Sequence, residues 1–141
     1  MYGRIRSTGS ECGQSLVEFA ISAPILHVLI LGTIEVAAMS HSYLIVVGAA
    51  RDAARLGARG GSDTDLQTLV TVETAELTGG VPTSCGAGTA AGMCITRGTN
   101  PGPNSVKMQV CYSHALVVGF PGLLSNPKLL CSSTVMRVLI V

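Results

Sequence analysis

The sequence predicts an α+β protein: a long N-terminal transmembrane-type α-helix, a second short helix, and a small antiparallel β-sheet head. Three observations lead there. Phe19 to Ile34 holds no Asp, Glu, Lys or Arg. "GARGGSD", Gly57–Asp63, breaks the helical pattern, and Leu66, Leu69, Val70 and Leu77 then recur at helical spacing. In "SVKMQVCYSH", Ser105–His114, apolar Val106, Met108, Val110 and Tyr112 alternate with Lys107, Gln109, Cys111 and Ser113, the period of a half-buried strand.

The first element is set by length. Phe19–Ile34 spans ~24 Å as a helix, and counting from Gln14 brings it to ~31 Å, close to the hydrocarbon thickness of a bilayer. Arg4 and Arg6 precede it, which places the N-terminus in the cytoplasm and the bulk of the chain outside. Glu18 sits just inside the start of the apolar run, and Glu35 lies ~25 Å further along the axis, at the outer interface. Pro24 removes the helical bond to the carbonyl of Ala20 and should bend the helix. Beyond Ala38 the helix is expected to run on in water to about Arg59, with Arg51, Arg55 and Arg59 forming a solvated basic stripe. "VLIV", Val138–Val141, is too short for a second span.

The second helix is expected from a Ser62 or Asp63 cap to about Leu77, ending before Gly79-Gly80. A Gly-rich loop, Gly79–Gly92, leads to three strand-like pieces: Met93–Arg97, Ser105–His114 and Leu129–Val141. "NPGP", Asn100–Pro103, turns between the first two, and "FPGLLSNP", Phe120–Pro127, is a longer connection.

Composition narrows the function. The chain of 141 residues suits one modest domain. Charged residues make up 12%, about half the usual globular share. A net charge of +1 gives no reason to expect a nucleic-acid partner. His27, His41 and His114 are scattered, no G-x-S-x-G occurs, and the Gly-rich loop lacks the GK[ST] of a phosphate loop. No enzyme activity, cofactor or metal site is expected.

An ordinary signal peptide competes for the N-terminus, with Arg4/Arg6, then Ile21–Leu31, then "VAA" at Val36–Ala38. Glu18 and Pro24 interrupt that apolar region, and the helical pattern continues past the cleavage point without a break before Gly57.

"CGQSLVEFAISAPILHVLILGTIE", Cys12–Glu35, resembles the N-terminus of the TadE-like family, pilus-assembly pseudopilins or minor pilins of tight-adherence (Flp-type) type IV pili. The matching pattern is a short basic leader, Gly13, the four residues "QSLV", Glu18, aromatic Phe19, and an apolar helix with Pro24 near its start. "VVGAARDAARLGAR", Val46–Arg59, is similar to the family's Ala/Arg-rich continuation. Phe19 departs from the Tyr that flagellin-like-protein pilins often carry there.

The resemblance implies a pilin-type helix. It implies cleavage by a prepilin peptidase after Gly13, so that Gln14 becomes the N-terminus. It also implies assembly through Glu18 with the free amine of a neighbouring subunit. The implied partners are that peptidase, other pilin or pseudopilin subunits, the pilus assembly platform and membrane lipid. The implied divisions are a leader over 1–13, a helix over 14–60 with its span at about 16–37, and an extracytoplasmic head over 61–141. The implied location is the inner membrane, single-pass, and then the pilus. An interfacial Glu favoured by the helix dipole is the plainer reading of Glu18.

Losing Arg4, Arg6 and Glu11 would bring nine Lys/Arg and eight Asp/Glu to seven each. Losing Cys12 would leave an even set: Cys85, Cys94, Cys111 and Cys131. The preferred pairing is Cys85 with Cys94 across the Gly-rich loop and Cys111 with Cys131 between strands, one of three connectivities. Zinc is the alternative, disfavoured by the absence of C-x-x-C spacing and by an oxidising outer compartment. Two other readings remain: a secreted binding module cut near Ala38, and an uncleaved single-span envelope protein.

Overall fold

A computed structural model describes residues 11–85, 91–98, 104–116 and 127–138. The leader residues 1–10, the turn at 100–103 and most of the Phe120–Pro127 connection lie outside the described residues.

The first helix, α1, runs unbroken from Glu11 to Ala58, 48 residues or ~72 Å. It passes through Pro24 within the same helical segment. Its end is fixed by a Schellman arrangement: the Gly61 N–H donates to the carbonyl of Leu56 and the Gly60 N–H to that of Gly57. Gly60 has φ +92°, the left-handed conformation this motif requires and glycine adopts at little cost.

The second helix, α2, spans Asp63–Glu73 behind an N-cap at Ser62. The Asp65 N–H donates to the Ser62 hydroxyl, and the Ser62 N–H donates back to the Asp65 carboxylate, a reciprocal capping box. The helix ends four residues short of the expected Leu77. The Thr74 hydroxyl and N–H both donate to the carbonyl of Val70. The chain then turns, with the Leu77 N–H bonded to the carbonyl of Thr74. Leu77 is buried all the same, so a turn delivers the apolar contact that a helix was expected to make.

Three strands follow: β1 (Gly92–Arg97), β2 (Ser105–His114) and β3 (Lys128–Arg137). They form one antiparallel sheet in the order β1-β2-β3. The third strand was expected to reach Val141. It stops at Arg137, where the Val138 N–H turns to the carbonyl of Asn104, and residues 139–141 lie outside the described residues.

The core lies between the second half of α1, α2 and one face of the sheet. Val46, Ala49, Ala50, Ala53 and Ala54 of α1 are all but inaccessible, as are Leu66 and Val70 of α2 and Val106, Met108 and Val110 of β2. Alanines on the inner face of α1 let the helix approach the strands closely. At Gly57 the approach is closer still: a Cβ there would stand 2.9 Å from Val106 Cγ1 and 3.2 Å from Leu66 Cδ2.

Candidate functional site: the apolar helix and its junction with the head

Among the described residues, the stretch of α1 before Glu35 is largely exposed. Leu16 is 70% exposed and Phe19 71%, and Ile21, Ile25, Leu26 and Leu29 are comparably open. It is the one stretch among the described residues long and apolar enough to cross a membrane. Its hydroxyls and its histidine bond to their own helix. Ser22 Oγ donates to the Glu18 carbonyl at 2.8 Å, Thr33 Oγ1 to Ile30 at 2.8 Å, and Ser40 Oγ to Val36 at 2.8 Å. His27 Nδ1–H donates to the Ala23 carbonyl at 2.7 Å. Hydrocarbon demands this, because an unsatisfied polar group costs several kcal/mol there.

Gly13 and Gln14 occupy the first turns of α1 and are exposed. A Cβ on Gly13 would meet nothing within 4 Å, so packing within the chain gives no reason for glycine at that position. Glu18 and Phe19 are exposed on the same helix, and Glu18 lies one turn beyond Gln14, near the same face. Pro24 is exposed. The sequence groups these residues as a processing and assembly end. In the folded chain they share one exposed stretch of helix.

The four cysteines lie in the head. Cys85 is disulfide-bonded to Cys94, and Cys111 to Cys131. The second bond joins residues directly opposite in the β2–β3 register. The first ties the segment before β1 to β1 itself. Among the described residues, no group of three or more His, Cys, Asp or Glu is placed to hold a metal.

Sequence reasoning missed the junction. Glu35 does not face the outer interface alone: it is buried, 8% exposed, beneath the end of β2. Its Oε1 lies 3.7 Å from His114 Nε2, and His114 Nδ1 lies 3.3 Å from Ser42 Oγ. Ser42 Oγ is also 3.1 Å from the Ala38 carbonyl. Beside this cluster an open cleft of 350 Å³ is lined by His41, Glu76, Thr78 and Tyr112. The signal that could have found it is the spacing of Glu35, Ser42 and Ala49. Steps of seven residues put two polar groups in line with the buried alanine face.

Two pH-responsive groups lie elsewhere in the head. The Asp65 carboxyl is held below its ordinary range by the hydrogen bond from the Ser62 side chain and then by that from its backbone. Partial burial pushes Glu73 up, with a smaller contribution from the nearby Asp52 charge.

Fold and site define a class: a membrane-length helix whose outer half is the spine of a small disulfide-bonded α+β head. Residues 13–55 match the family model described as TadE-like protein. The match covers 43 of the 141 residues and bears out, for the N-terminal helix, the resemblance read from Cys12–Glu35. By length and composition that helix could cross a membrane once. The match takes in most of α1 and ends before α2 and the sheet. No curated protein and no solved structure matches the chain.

Proposed function

We propose that the chain is a structural subunit, a minor pilin or pseudopilin, of a tight-adherence type IV pilus. In this reading prepilin peptidase cuts after Gly13 on the cytoplasmic side. The mature protein waits in the inner membrane with Gln14 inside and the head outside. It then joins other pilin-like subunits through the assembly platform.

The observation that carries this reading is the division of α1. One continuous helix has a buried alanine face within its own head and, before Glu35, a bare apolar surface. Lipid covers such a surface before assembly, and neighbouring helices cover it afterwards. Glu18 is then one half of an ion pair whose other half, the Gln14 amine, exists only after cleavage. In a low-dielectric bundle two opposite charges attract strongly, while either alone is costly. The pair sets axial register between subunits.

A cut near Ala38 fits less well. It would sever α1 and remove Glu35 from beneath the sheet, where the carboxylate lies 3.7 Å from His114.

The test is the N-terminal residue of the protein recovered from membranes and pili, together with a Glu18→Ala variant. Gln14 at the N-terminus is expected, and Glu18→Ala should insert normally but enter the filament poorly. Met39 or an intact Met1 would overturn the processing, and normal incorporation of Glu18→Ala would overturn the pairing.

A further inference from the structure

Three polar groups meet where α1 leaves its apolar half: Glu35, Ser42 and His114, all at or below 8% exposure. Hydrogen-bond accounting shows what they lack. Ser42 has one hydroxyl proton. If it goes to the Ala38 carbonyl, Ser42 accepts from His114 Nδ1–H, and a neutral imidazole then turns the Nε2 lone pair toward the Glu35 carboxylate. If the hydroxyl instead donates to Nδ1, Nε2 carries the ring proton but the Ser42–Ala38 bond is given up. His114 Nε2 is the buried side-chain atom without a hydrogen-bond partner among the described residues. One added proton resolves both cases. An imidazolium donates from Nδ1 to Ser42 and presents a charged N–H to Glu35.

We infer that Glu35, Ser42 and His114 form a proton-operated clasp fastening the membrane-facing end of the sheet to α1. With His114 protonated, the end of β2 is held on the helix by a buried ion pair. With His114 neutral, the ring holds α1 by packing and one neutral hydrogen bond, while Tyr112 Oη still donates to the Thr78 carbonyl at 3.1 Å. Histidine is the side chain whose ordinary titration falls in the range an outer compartment experiences. The inference rests on the head's own geometry and stands whether or not the chain enters a filament.

The surroundings set the balance. From α1, the Glu35 carboxylate faces the ring at 3.7 Å, and His41 lines the adjoining cleft. Glu76, between α2 and β1, adds a second carboxylate to that cleft. Tyr112 of β2 meets the His114 ring edge-on with centroids 6.2 Å apart. Lys128, opposite His114 on β3, opposes the charge but is exposed and screened by solvent. The sign follows from the hydrogen-bond geometry: the added proton supplies the donor that Nε2 lacks toward Glu35, so closure is favoured in acid.

The test uses the full chain in neutral phosphatidylcholine nanodiscs and reads amide hydrogen exchange, corrected for intrinsic rates. The two ends of β2 are compared, Tyr112–His114 against Val106–Met108. Between about pH 7.5 and pH 5.5, protection at the His114 end should rise relative to the other end. His114→Gln and Glu35→Gln should each erase that pH dependence. Equal behaviour of the two ends in the unaltered chain overturns the inference, as does persistence of the response in either variant. If His114→Gln does not fold, Glu35→Gln decides alone.

Discussion

Gly57 and Gly48 lie on the same helix, and the same substitution should move stability in opposite directions at the two positions. Replacing either by alanine removes backbone freedom and should stabilise a helix by up to ~1 kcal/mol. At Gly48 the new Cβ meets nothing within 4 Å, so this gain stands. At Gly57 the new Cβ falls 2.9 Å from Val106 Cγ1 and 3.2 Å from Leu66 Cδ2. Val106 is β-branched, fully buried and on the central strand, so it has no free rotamer to retreat into. Overpacking of this kind costs ~1–3 kcal/mol. The helix-propensity gain is common to both variants and cancels in their difference. Gly57→Ala should therefore be less stable than Gly48→Ala by ~1–3 kcal/mol. For a head of this size that is a gap of at least about 4 °C in melting temperature. The assay is thermal unfolding of the full chain in micelles, followed by the near-UV circular dichroism of the tyrosines. Equal stabilisation by both substitutions would refute the close helix–sheet approach on which the head is built.

Ser62→Ala should cost ~1 kcal/mol through loss of the α2 cap. Asp65 is held below its ordinary range in the fold, so its contribution is present above the unfolded value and is lost as pH falls through the folded one. The stability gap between Ser62→Ala and the unaltered protein should accordingly narrow in acid, as read by melting temperature across a pH series. Glu73 has the opposite sign: its raised folded value favours the fold below the unfolded titration and costs stability as pH climbs through the raised one. Glu73→Gln should therefore stabilise the head modestly at neutral pH and flatten its decline between acid and neutral pH; unchanged melting across that range would count against the assignment.

Much of the fold was legible because its signals are local. A run without charge from Phe19 to Ile34 can make only a helix in hydrocarbon, and the alternation in Ser105–His114 can put only one face in a core. The strand bearing Cys111 and the strand bearing Cys131 were expected to be neighbours for the same reason, and they lie opposite in register. The end of α2 was not legible, since Leu77 satisfies the helical period and is buried from a turn instead. Glu35 was not legible either. Its sequence neighbours Ile34 and Val36 are 58% and 63% exposed, and only the fold brings His114, 79 positions away, over it. Gly13, Gln14 and Glu18, the residues proposed for processing and assembly, stand out through a short motif. Their roles depend on other molecules.

The change in side-chain size along α1 explains how one helix serves two neighbours. Before Glu35 the surface is built from leucine, isoleucine and valine, whose long or branched side chains suit the loose, apolar contact of lipid or of another helix. From Ala49 to Ala58 the inward face is alanine and glycine, which admits the sheet at close range. Between Thr33 and Val47 there is no glycine or proline, so α1 carries no ready bending point at the junction. The proline lies within the apolar half, at Pro24, where the carbonyl of Ala20 has no helical donor. Head and outer helix must then move as one piece. Relative motion at the membrane-facing end has to come from the sheet lifting off the helix rather than from the helix bending. Glu35 and His114 sit at the point where that lifting would begin, which is why a single proton there has leverage over the seating of the sheet on the helix.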